Sequence, residues 1–471
     1  MMSQTLRRQI YKMKIVLSLA LAAFLAVGCS KKTSDEKTEK IVQKKDTIYT
    51  SKSCKMAFKE AQSLNSEDED KHILGRSFFA IPWVEAPSAT TARDGLGPLF
   101  SANTCIHCHP NNGAGVPTDK NGKITRSLVM RLSIDPKKNS NSDAMKKYGF
   151  VPEPTYGGQL SLNGTSDTPY EGSIHVSYKE VTGKYDDGEK YTLRHPTYTI
   201  DNLQYGALHK DTNIAPHIAL ALVGLGAIEM IDEKDILAKE DINDSDGDGI
   251  SGKANWVFNP ETNATELGRF TWKAASVTVK HQTANAAYND MSLSNPLYPG
   301  DNCTNAQEEC LKAYKSAHAF DLPMKRLDAI AYYLKTLKIP AQRKTANFAK
   351  GKEIFHRLGC ISCHTPSYKL SDADITIYPY SDFLLHDMGD ALSDGHTIFR
   401  AEPNEFRTPP LWGIGLYKKV SGEMALLHDG RARSIEEAIL WHGGEALQSQ
   451  LAFKALGKKE RDMLVEFLKG I

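Results

Sequence analysis

Two short strings in the sequence repeat the same spacing of cysteine and histidine. CIHCH occupies residues 105–109 and CISCH occupies residues 360–364. In a C-x-x-C-H string two thiols lie on one face of a turn, where both can add to the vinyl groups of a haem, and the next imidazole faces the iron. We therefore predict two covalently bound c-type haems, with His109 and His364 as the proximal iron ligands. The attachment cysteines are Cys105, Cys108, Cys360 and Cys363.

Two other kinds of site use related spacings. A redox dithiol of the C-x-x-C type does not require the following histidine, and a zinc site requires a second pair of ligands close by. Two complete copies of the longer string in an exported chain therefore favour haem.

The segment DSDGDGISGKAN (residues 244–255) alternates acidic side chains with glycines, as calcium loops do. The predicted ligands are Asp244, Asp246, Asp248, the backbone carbonyl of Ile250 and Asn255. Asn255 stands where an EF-hand has a bidentate glutamate, so we predict a calcium ion in a related loop rather than in an EF-hand. A polar surface turn is the alternative.

The cysteines outside the haem strings have other predicted roles. Cys303 and Cys310 flank a short polar segment in a chain that is expected to fold in an oxidising compartment, and we predict a local disulfide between them. For Cys54 a structural or tethering role is expected rather than a catalytic one, because nothing adjacent in sequence would lower the pKa of its thiol.

The N-terminal residues have the layout of a bacterial export signal. Basic residues precede an apolar run, residues 15–27, that is too short to span a bilayer, and LAVGC resembles a lipobox ending at Cys29. We predict a lipoprotein signal peptide over residues 1–28, a lipid on Cys29 and a charged, disordered tether over residues 29–53. The globular part then lies in the periplasm or at the outer surface, and touches a membrane only through the lipid. A plain secreted protein is the alternative.

The composition excludes several classes of protein. The 58 Lys+Arg and 57 Asp+Glu leave a formal net charge of +1, which argues against nucleic-acid binding, since that requires a basic surface. The 41% of hydrophobic residues is enough for packed cores. No apolar run is long enough to cross a bilayer, which argues against an integral membrane protein.

The surroundings of the two haem strings also repeat. LFSANTCIHCH (residues 99–109) aligns with IFHRLGCISCH (residues 354–364), and two downstream segments, residues 325–337 and 459–471, share the apolar periodicity of an amphipathic helix. Each such helix is expected to close a haem domain. We therefore predict a mainly α fold made of two cytochrome c-like haem domains, residues 54–338 and 339–471.

The first predicted domain carries a long insert between its haem string and its closing helix. The insert is rich in Gly, Pro, Tyr, Asn and Thr, and contains short alternating segments such as residues 173–181, which predict loops and a few short strands. A protein that only carries electrons does not need such an insert, whereas a protein that forms a binding pocket does.

Several strings resemble the bacterial diheme oxidoreductase family, whose members are described as peroxidases and also labelled thiol oxidoreductases. The strings are DGLGPLFSANTCIHCH, YGGQL, TLRHPTY, DSDGDGISG, LGRFTWKA, PYSDFLLHDMGDALSDG, FRTPPLWGIGL and LLHDGRARSIEEAILWHGGEA, and the match runs from Phe78 to the C-terminus. The second half is distantly similar to diheme cytochrome c peroxidases. The resemblance implies a peroxidase-like enzyme with two c-type haems, a calcium ion between the domains and electron exchange between the haems.

Peroxide reduction requires an iron with an exchangeable sixth position and nearby groups that move protons. Gln159 and Glu171 are the candidate distal groups at the first haem, with ordinary turn or surface roles as the alternative. Trp272 and Trp83 are the candidate bridges between the haems, with burial in the core as the alternative.

The sixth ligand of the second haem is left open between several residues. The related peroxidases place a methionine just before their FR-x-P-x-L segment, where this chain has Asn404 and Glu405. Met388 and His386 are the preferred candidates. Met424 and His428 are also considered, whereas no role is given to His195, His217, His281 and His442.

Three functions are consistent with these features. The favoured one is a diheme peroxidase-like oxidoreductase that takes electrons from a small redox protein or a quinol-linked cytochrome and reduces peroxide or another small oxidant. The alternatives are a diheme electron-transfer protein and an oxidase of thiols or of a side chain on another protein.

Overall fold

The computed structural model describes residues 40–41, 48–54, 56–138, 141–370 and 375–471. The predicted signal peptide, most of the predicted tether and the predicted lipidation site Cys29 lie outside these residues. Of the described residues 30% are helical and 22% are in strands, so the fold is mixed and the expectation of a mainly α protein is wrong.

Thirteen α-helices lie within the described residues. They are α1 (Ser66–Ala80), α2 (Cys105–Cys108), α3 (Ser142–Tyr148), α4 (Leu225–Glu229), α5 (Glu233–Leu237), α6 (Val279–Met291), α7 (Glu308–Lys312), α8 (Met324–Lys335), α9 (Phe348–Arg357), α10 (Tyr417–Ser421), α11 (Ile435–Trp441), α12 (Leu447–Lys454) and α13 (Lys458–Gly470). None of the helices in this part of the chain is both long and apolar enough to cross a membrane.

The strands of the same residues pair two by two. They are β1 (Lys40–Ile41), β2 (Tyr49–Thr50), β3 (Val84–Glu85), β4 (Asp94–Leu96), β5 (Leu99–Phe100), β6 (Leu128–Ile134), β7 (Asn163–Gly164), β8 (Ser173–Lys184), β9 (Lys190–Asp201), β10 (Thr212–Ile218), β11 (Trp256–Asn259), β12 (Ala264–Leu267), β13 (Ile339–Pro340), β14 (Arg343–Lys344), β15 (Tyr368–Leu370), β16 (Ile375–Ile377), β17 (Leu385–Asp387) and β18 (Glu405–Arg407). The pairs β2–β13 and β3–β4 are parallel, and the other seven are antiparallel.

The two predicted closing helices are present as α8 and α13. α8 packs on α1, and α13 packs on α9, the helix that leads into the second haem string. Each crossing is made at a glycine, because a Cβ on Gly75 would lie 1.8 Å from the carbonyl oxygen of Ala329, and one on Gly351 would lie 2.3 Å from that of Met463. Close helix packing of this kind positions the chain before each haem string.

The insert of the first half contains more strand than the sequence suggested. β8 and β9 have 12 residues each and form a continuous antiparallel hairpin, in which Ser173 pairs with Asp201 and Lys184 with Lys190. Their threonine, tyrosine and valine side chains favour such a ladder. The tip of the hairpin reaches α13, where the Arg461 guanidinium lies 3.7 Å from the centre of the Tyr185 ring.

The largest apolar cluster draws on both sides of the predicted boundary at residues 338/339. It contains Trp83 and Leu327 from the first side, and Phe383 and Trp412 from the second. A smaller cluster surrounds Phe355 of α9 and is formed mostly by later residues. The division into two domains stays a prediction.

Candidate haem centres and the wall between them

A cavity lies beside each of the two haem strings. The first has a volume of about 290 Å³ and is lined by Cys105, Cys108 and His109, and the second has a volume of about 200 Å³. The second is lined by Cys360, Cys363 and His364. All four cysteines are free thiols, so each pair is available to attach a haem beside its cavity.

Both proximal histidines are held in the form that binds iron. The Nδ1 of His109 lies 2.8 Å from the carbonyl oxygen of Leu220, and the Nδ1 of His364 lies 2.8 Å from that of Tyr380. A carbonyl oxygen only accepts, so Nδ1 carries the hydrogen and Nε2 keeps a free lone pair. Burial lowers the pKa of each imidazole to about 4. This set of thiols and neutral imidazoles fits covalent haem.

Trp272 lies in a wall that the two cavities share, together with Ile218, Arg407 and Tyr417. Its indole Nε1 donates to the carbonyl oxygen of Ile218 at 2.8 Å, which fixes the ring. The other predicted bridge, Trp83, lines only the first cavity and is 1% exposed. The structure therefore brings Trp272, and not Trp83, between the two sites.

Strands β6 and β10 direct two polar side chains, Arg131 and His217, into the first cavity. Arg131 pairs with Ala215, and His217 pairs with Val129, so the two side chains are diagonal neighbours across the ladder. Both line the first cavity. The alternate residues of β6, including Leu128 and Leu132, belong to an apolar cluster on the other face. From the sequence, Arg131 was not singled out and His217 was given no role, although a single arginine in an otherwise apolar segment such as β6 is a detectable signal.

Gln159 does not face the iron site as expected, but binds a residue that does. Its Nε2 donates to Asp290 Oδ1 at 2.8 Å, and Asp290 lines the first cavity at the end of α6. Withdrawal from bulk water raises the pKa of Asp290, against the opposing effects of Arg131 and Gln159. Gln159 is therefore a positioning residue for this carboxyl group.

Glu171 lies away from both cavities, so its prediction as a distal residue is wrong. It is 2% exposed, and its carboxyl oxygens accept from the backbone N–H of Ser161 and from the side chain of Gln307. Burial raises its pKa to about 8. The group stabilises the packing of the insert.

A buried ion pair crosses the base of the shared wall. Lys273 Nζ lies 3.1 Å from Asp394 Oδ1 and donates to the backbone carbonyl oxygens of residues 402, 403 and 405. Asp394 Oδ2 lies 2.8 Å from His217 Nε2. Burial opposes the negative charge, but Lys273 and His217 hold the pKa of Asp394 below its usual range. Asp394 therefore orients His217 at the first cavity.

His386 is not free to ligate the second haem. Its Nδ1 lies 2.6 Å from Glu445 Oε2, and its Nε2 lies 2.8 Å from Asp382 Oδ2, so both ring nitrogens are engaged. Burial disfavours a charged ring, yet Asp382 raises the pKa of His386 well above its usual value. The prediction of His386 as a ligand is therefore wrong.

The other candidate ligands differ in their position. Met388 lines the second cavity. Met424 packs against the apolar cluster around Phe355 and is not among the residues that line the cavity. His428 lines the cavity and stacks on Phe406 with ring centroids 4.5 Å apart.

The acidic loop holds three of its predicted ligands together. Oxygen atoms of Asp244, Asp246 and Asp248 lie within 4.8 Å of one another. Ile250 follows in the same loop, and its backbone N–H donates to Asp248. Asn255 is buried elsewhere, with its side-chain oxygen accepting from the backbone N–H of Arg400 at 2.9 Å, so its prediction as a calcium ligand is wrong.

The other cysteines among the described residues are not free thiols. A disulfide joins Cys303 to Cys310 at the start of α7. Cys54 is also disulfide-bonded.

Two cavities, each beside a thiol pair and a neutral imidazole and sharing one wall, define a diheme redox protein. The model of the family described as "Di-haem oxidoreductase, putative peroxidase" matches residues 38–471, and the chain belongs to this family.

Other comparisons are weak. No curated protein matches the chain. One solved structure, hydrazine synthase from Kuenenia stuttgartiensis pressurised with xenon, is 20% identical over 36% of this chain and 63% of that chain, with a TM-score of 0.23. A likeness of this size carries no argument about fold or function.

Proposed function

We propose that this protein is a peroxidase-like enzyme that reduces peroxide in the first cavity and receives electrons by way of the second haem site. The observation that carries the proposal is the free guanidinium of Arg131 in the first cavity. Arg131 lines that cavity close enough to Asp290 for the two charges to act on each other, but its guanidinium makes no salt bridge with any described residue. The second cavity is also lined by an arginine, Arg407, but its guanidinium donates to the backbone carbonyl oxygens of Thr271 and Thr408.

The side chains of the first cavity suit peroxide reduction. Cys105, Cys108 and His109 would hold a haem there, which would supply a redox-active iron. Reduction of hydrogen peroxide to two waters consumes two electrons and two protons. Arg131 donates hydrogen bonds to the oxygen on which negative charge develops. Asp290 and His217 are the groups placed to hold and transfer protons.

The shared wall gives the electrons a short path between the sites. Trp272 lines both cavities, as does Tyr417, so aromatic side chains would lie between haems held at the two sites. The second site then stores or relays electrons. We propose that a small redox protein or a quinol-linked cytochrome supplies them.

The cell location and the calcium ion belong to the same proposal. The export signal and lipobox support a cell-envelope protein that is tethered to a bacterial membrane through Cys29. The closely spaced carboxylates of Asp244, Asp246 and Asp248 support a bound calcium ion.

Stopped-flow spectroscopy of the purified diheme protein tests the function. We expect a high-spin ferric component that shifts on adding hydrogen peroxide, and consumption of two electrons per peroxide from reduced cytochrome c. Arg131→Leu should lower the turnover rate about 10²–10³-fold, because a donor to the developing charge is lost. The turnover rate of Arg131→Lys should lie between the rates of the unmodified protein and Arg131→Leu.

Arg76→Leu is the matched control, since Arg76 is an exposed arginine on α1. It should turn over like the unmodified protein. Two low-spin haems that do not react with peroxide would overturn the proposal and favour an electron-transfer protein. Oxygen consumption with a thiol and without peroxide would favour an oxidase.

A further inference from the structure

His442 lies on the face of α11 that lines the second cavity. Ile435, Ala438, Ile439 and His442 follow the spacing of one helix face, and all four line that cavity. His442 is the C-cap residue, directly after Trp441 at the end of α11. Its side chain therefore belongs to the wall of the second haem site.

The ring of His442 is held in the same way as the two proximal histidines. Its Nδ1 lies 2.7 Å from the carbonyl oxygen of Ala438, one turn earlier in the helix. Since a carbonyl oxygen only accepts, Nδ1 carries the hydrogen and Nε2 keeps its lone pair. Of the histidines that line the second cavity, His364 and His442 are the two whose Nδ1 is bound to a backbone carbonyl. A metal-binding imidazole is oriented by such a bond.

The other remaining histidine of the second cavity, His428, lies at its border with the first cavity. Its ring stacks on Phe406 and is 6.0 Å from the ring of His217, which lines the first cavity. Of the two remaining histidines, His442 is therefore the better candidate.

The segment after His442 is fixed against the backbone of residues 387–389. A Cβ on Gly444 would lie 2.2 Å from the carbonyl oxygen of Asp387, and a Cβ on Gly443 would lie 3.0 Å from that of Met388. Only glycine allows so close an approach at Gly444.

Glu445 completes this anchor. Its carboxylate binds His386 Nδ1 at 2.6 Å and accepts from Ser251 Oγ at 2.7 Å. His386 thus holds the segment that carries His442 through its Nδ1, while its Nε2 is bound to Asp382. The position of His442 is set by α11 on one side and by this anchor on the other.

We propose that Nε2 of His442 is the sixth ligand of the iron in the second haem, so that this haem is bis-histidine and low-spin. The inference rests on the proposed function only in requiring a haem on Cys360 and Cys363. A second imidazole lowers the reduction potential relative to a methionine sulfur. The second site is then closed to peroxide, which confines the chemistry to the first cavity.

Electron paramagnetic resonance of the oxidised diheme protein tests the ligand. We expect one low-spin bis-histidine signal. His442→Gly should convert it to a second high-spin signal, and added imidazole should restore it. His442→Met should keep the iron low-spin and raise the potential of that haem in a redox titration. Haem content must stay at two per chain in each variant.

Met388→Leu and His428→Gln are the matched controls, because both residues line the same cavity. Neither should change the low-spin signal. Loss of that signal in either control, or its persistence in His442→Gly without imidazole, would overturn the assignment.

Two further measurements keep the test decisive. If His442→Gly does not fold, carbon monoxide binding to the reduced unmodified protein tests the assignment instead. A six-coordinate second haem predicts that carbon monoxide binds one haem per chain. A second haem with an open sixth position predicts that it binds both. Peroxide turnover is scored separately. If the expected ligand signals are seen without peroxide turnover, the assignment of His442 stands and the proposed function is rejected. If turnover is seen without these signals, the proposed function stands and the assignment is rejected.

Discussion

The rings of His217 and His428 face different cavities, yet their centroids are 6.0 Å apart. Behind them, the Lys273 ammonium lies 4.2 Å from the centre of the Phe406 ring, on which His428 stacks. Asp394 joins His217 to Lys273. The wall between the two haem sites is therefore polar at its base and aromatic at Trp272.

Replacing Asp394 should destabilise the protein. Asp394→Asn removes the negative partner of an ammonium group that is 2% exposed, and an uncompensated buried charge costs about 3–5 kcal/mol. Denaturant unfolding of the diheme protein measures the change in the free energy of unfolding. The exposed Asp390→Asn should change it by less than about 0.5 kcal/mol. Equal effects of the two substitutions would show that the Lys273–Asp394 pair has no special role.

Replacing Trp272 should slow electron transfer between the haems. Trp272→Phe removes the indole that touches both cavities and keeps an aromatic ring for packing. Flash or stopped-flow reduction, followed at the separate absorption bands of the two haems, measures the rate at which they equilibrate. Trp83→Phe is the control, because Trp83 lines only the first cavity, and its rate should match that of the unmodified protein. A slower rate in the Trp83 variant alone would reverse the assignment.

Glu171 should make the protein less stable as the pH rises. Burial raises its pKa from 4.5 to about 8, so the folded protein binds this proton more tightly than the unfolded chain. Its contribution is fully present below the unfolded pKa and is lost as the pH rises through the folded pKa. Each unit of difference between the folded and unfolded pKa corresponds to about 1.4 kcal/mol in the free energy of unfolding.

Unfolding free energies between pH 4.5 and pH 8 test this point. The decrease across this range should be shallower in Glu171→Gln than in the unmodified protein. The exposed Glu309→Gln should leave the slope unchanged. Peroxide turnover of the Glu171 variant should stay normal, because Glu171 is outside both cavities. A large loss of turnover with intact haem content would argue for a distal role after all.

Calcium should stabilise the protein through the acidic loop. The carboxylates of Asp244, Asp246 and Asp248 repel one another unless a cation binds between them. Calcium at 100 times its dissociation constant should raise the free energy of unfolding by about 2.7 kcal/mol. Asp246→Asn should remove most of this gain, whereas Glu233→Gln on α5 should keep it. Thermal unfolding with calcium, with magnesium and with a chelator measures the effect, and no response to calcium would reject the site.

Features with a local cause were predictable from the sequence. The C-x-x-C-H strings need only a turn, and the closing helices α8 and α13 carry their own apolar periodicity. The acidic residues Asp244, Asp246 and Asp248 are close in sequence, so their proximity in the structure followed directly. The length of the strands in the insert was underestimated. The alternation of side chains in β8 is visible in the sequence, but its pairing with β9, which extends both strands, is not.

Features that depend on distant contacts were not predictable. Arg131 and His217 meet because β6 pairs with β10, and no local pattern reports that register. His386 looked like a free ligand because its partner Glu445 is 59 residues away in the chain. Gln159 was predicted near the first haem site, and the structure shows that its side chain binds Asp290, which lines that cavity.

The hairpin of β8 and β9 has a consequence for any attempt to exchange parts of this chain with a relative. It brings Asp187 and Glu189 to Arg461, whose side chain is 1% exposed. A chimera that took its first half from another family member would have to match this arginine to a foreign hairpin, or leave it buried without either acid. The two haem-bearing halves of this chain are therefore not interchangeable modules.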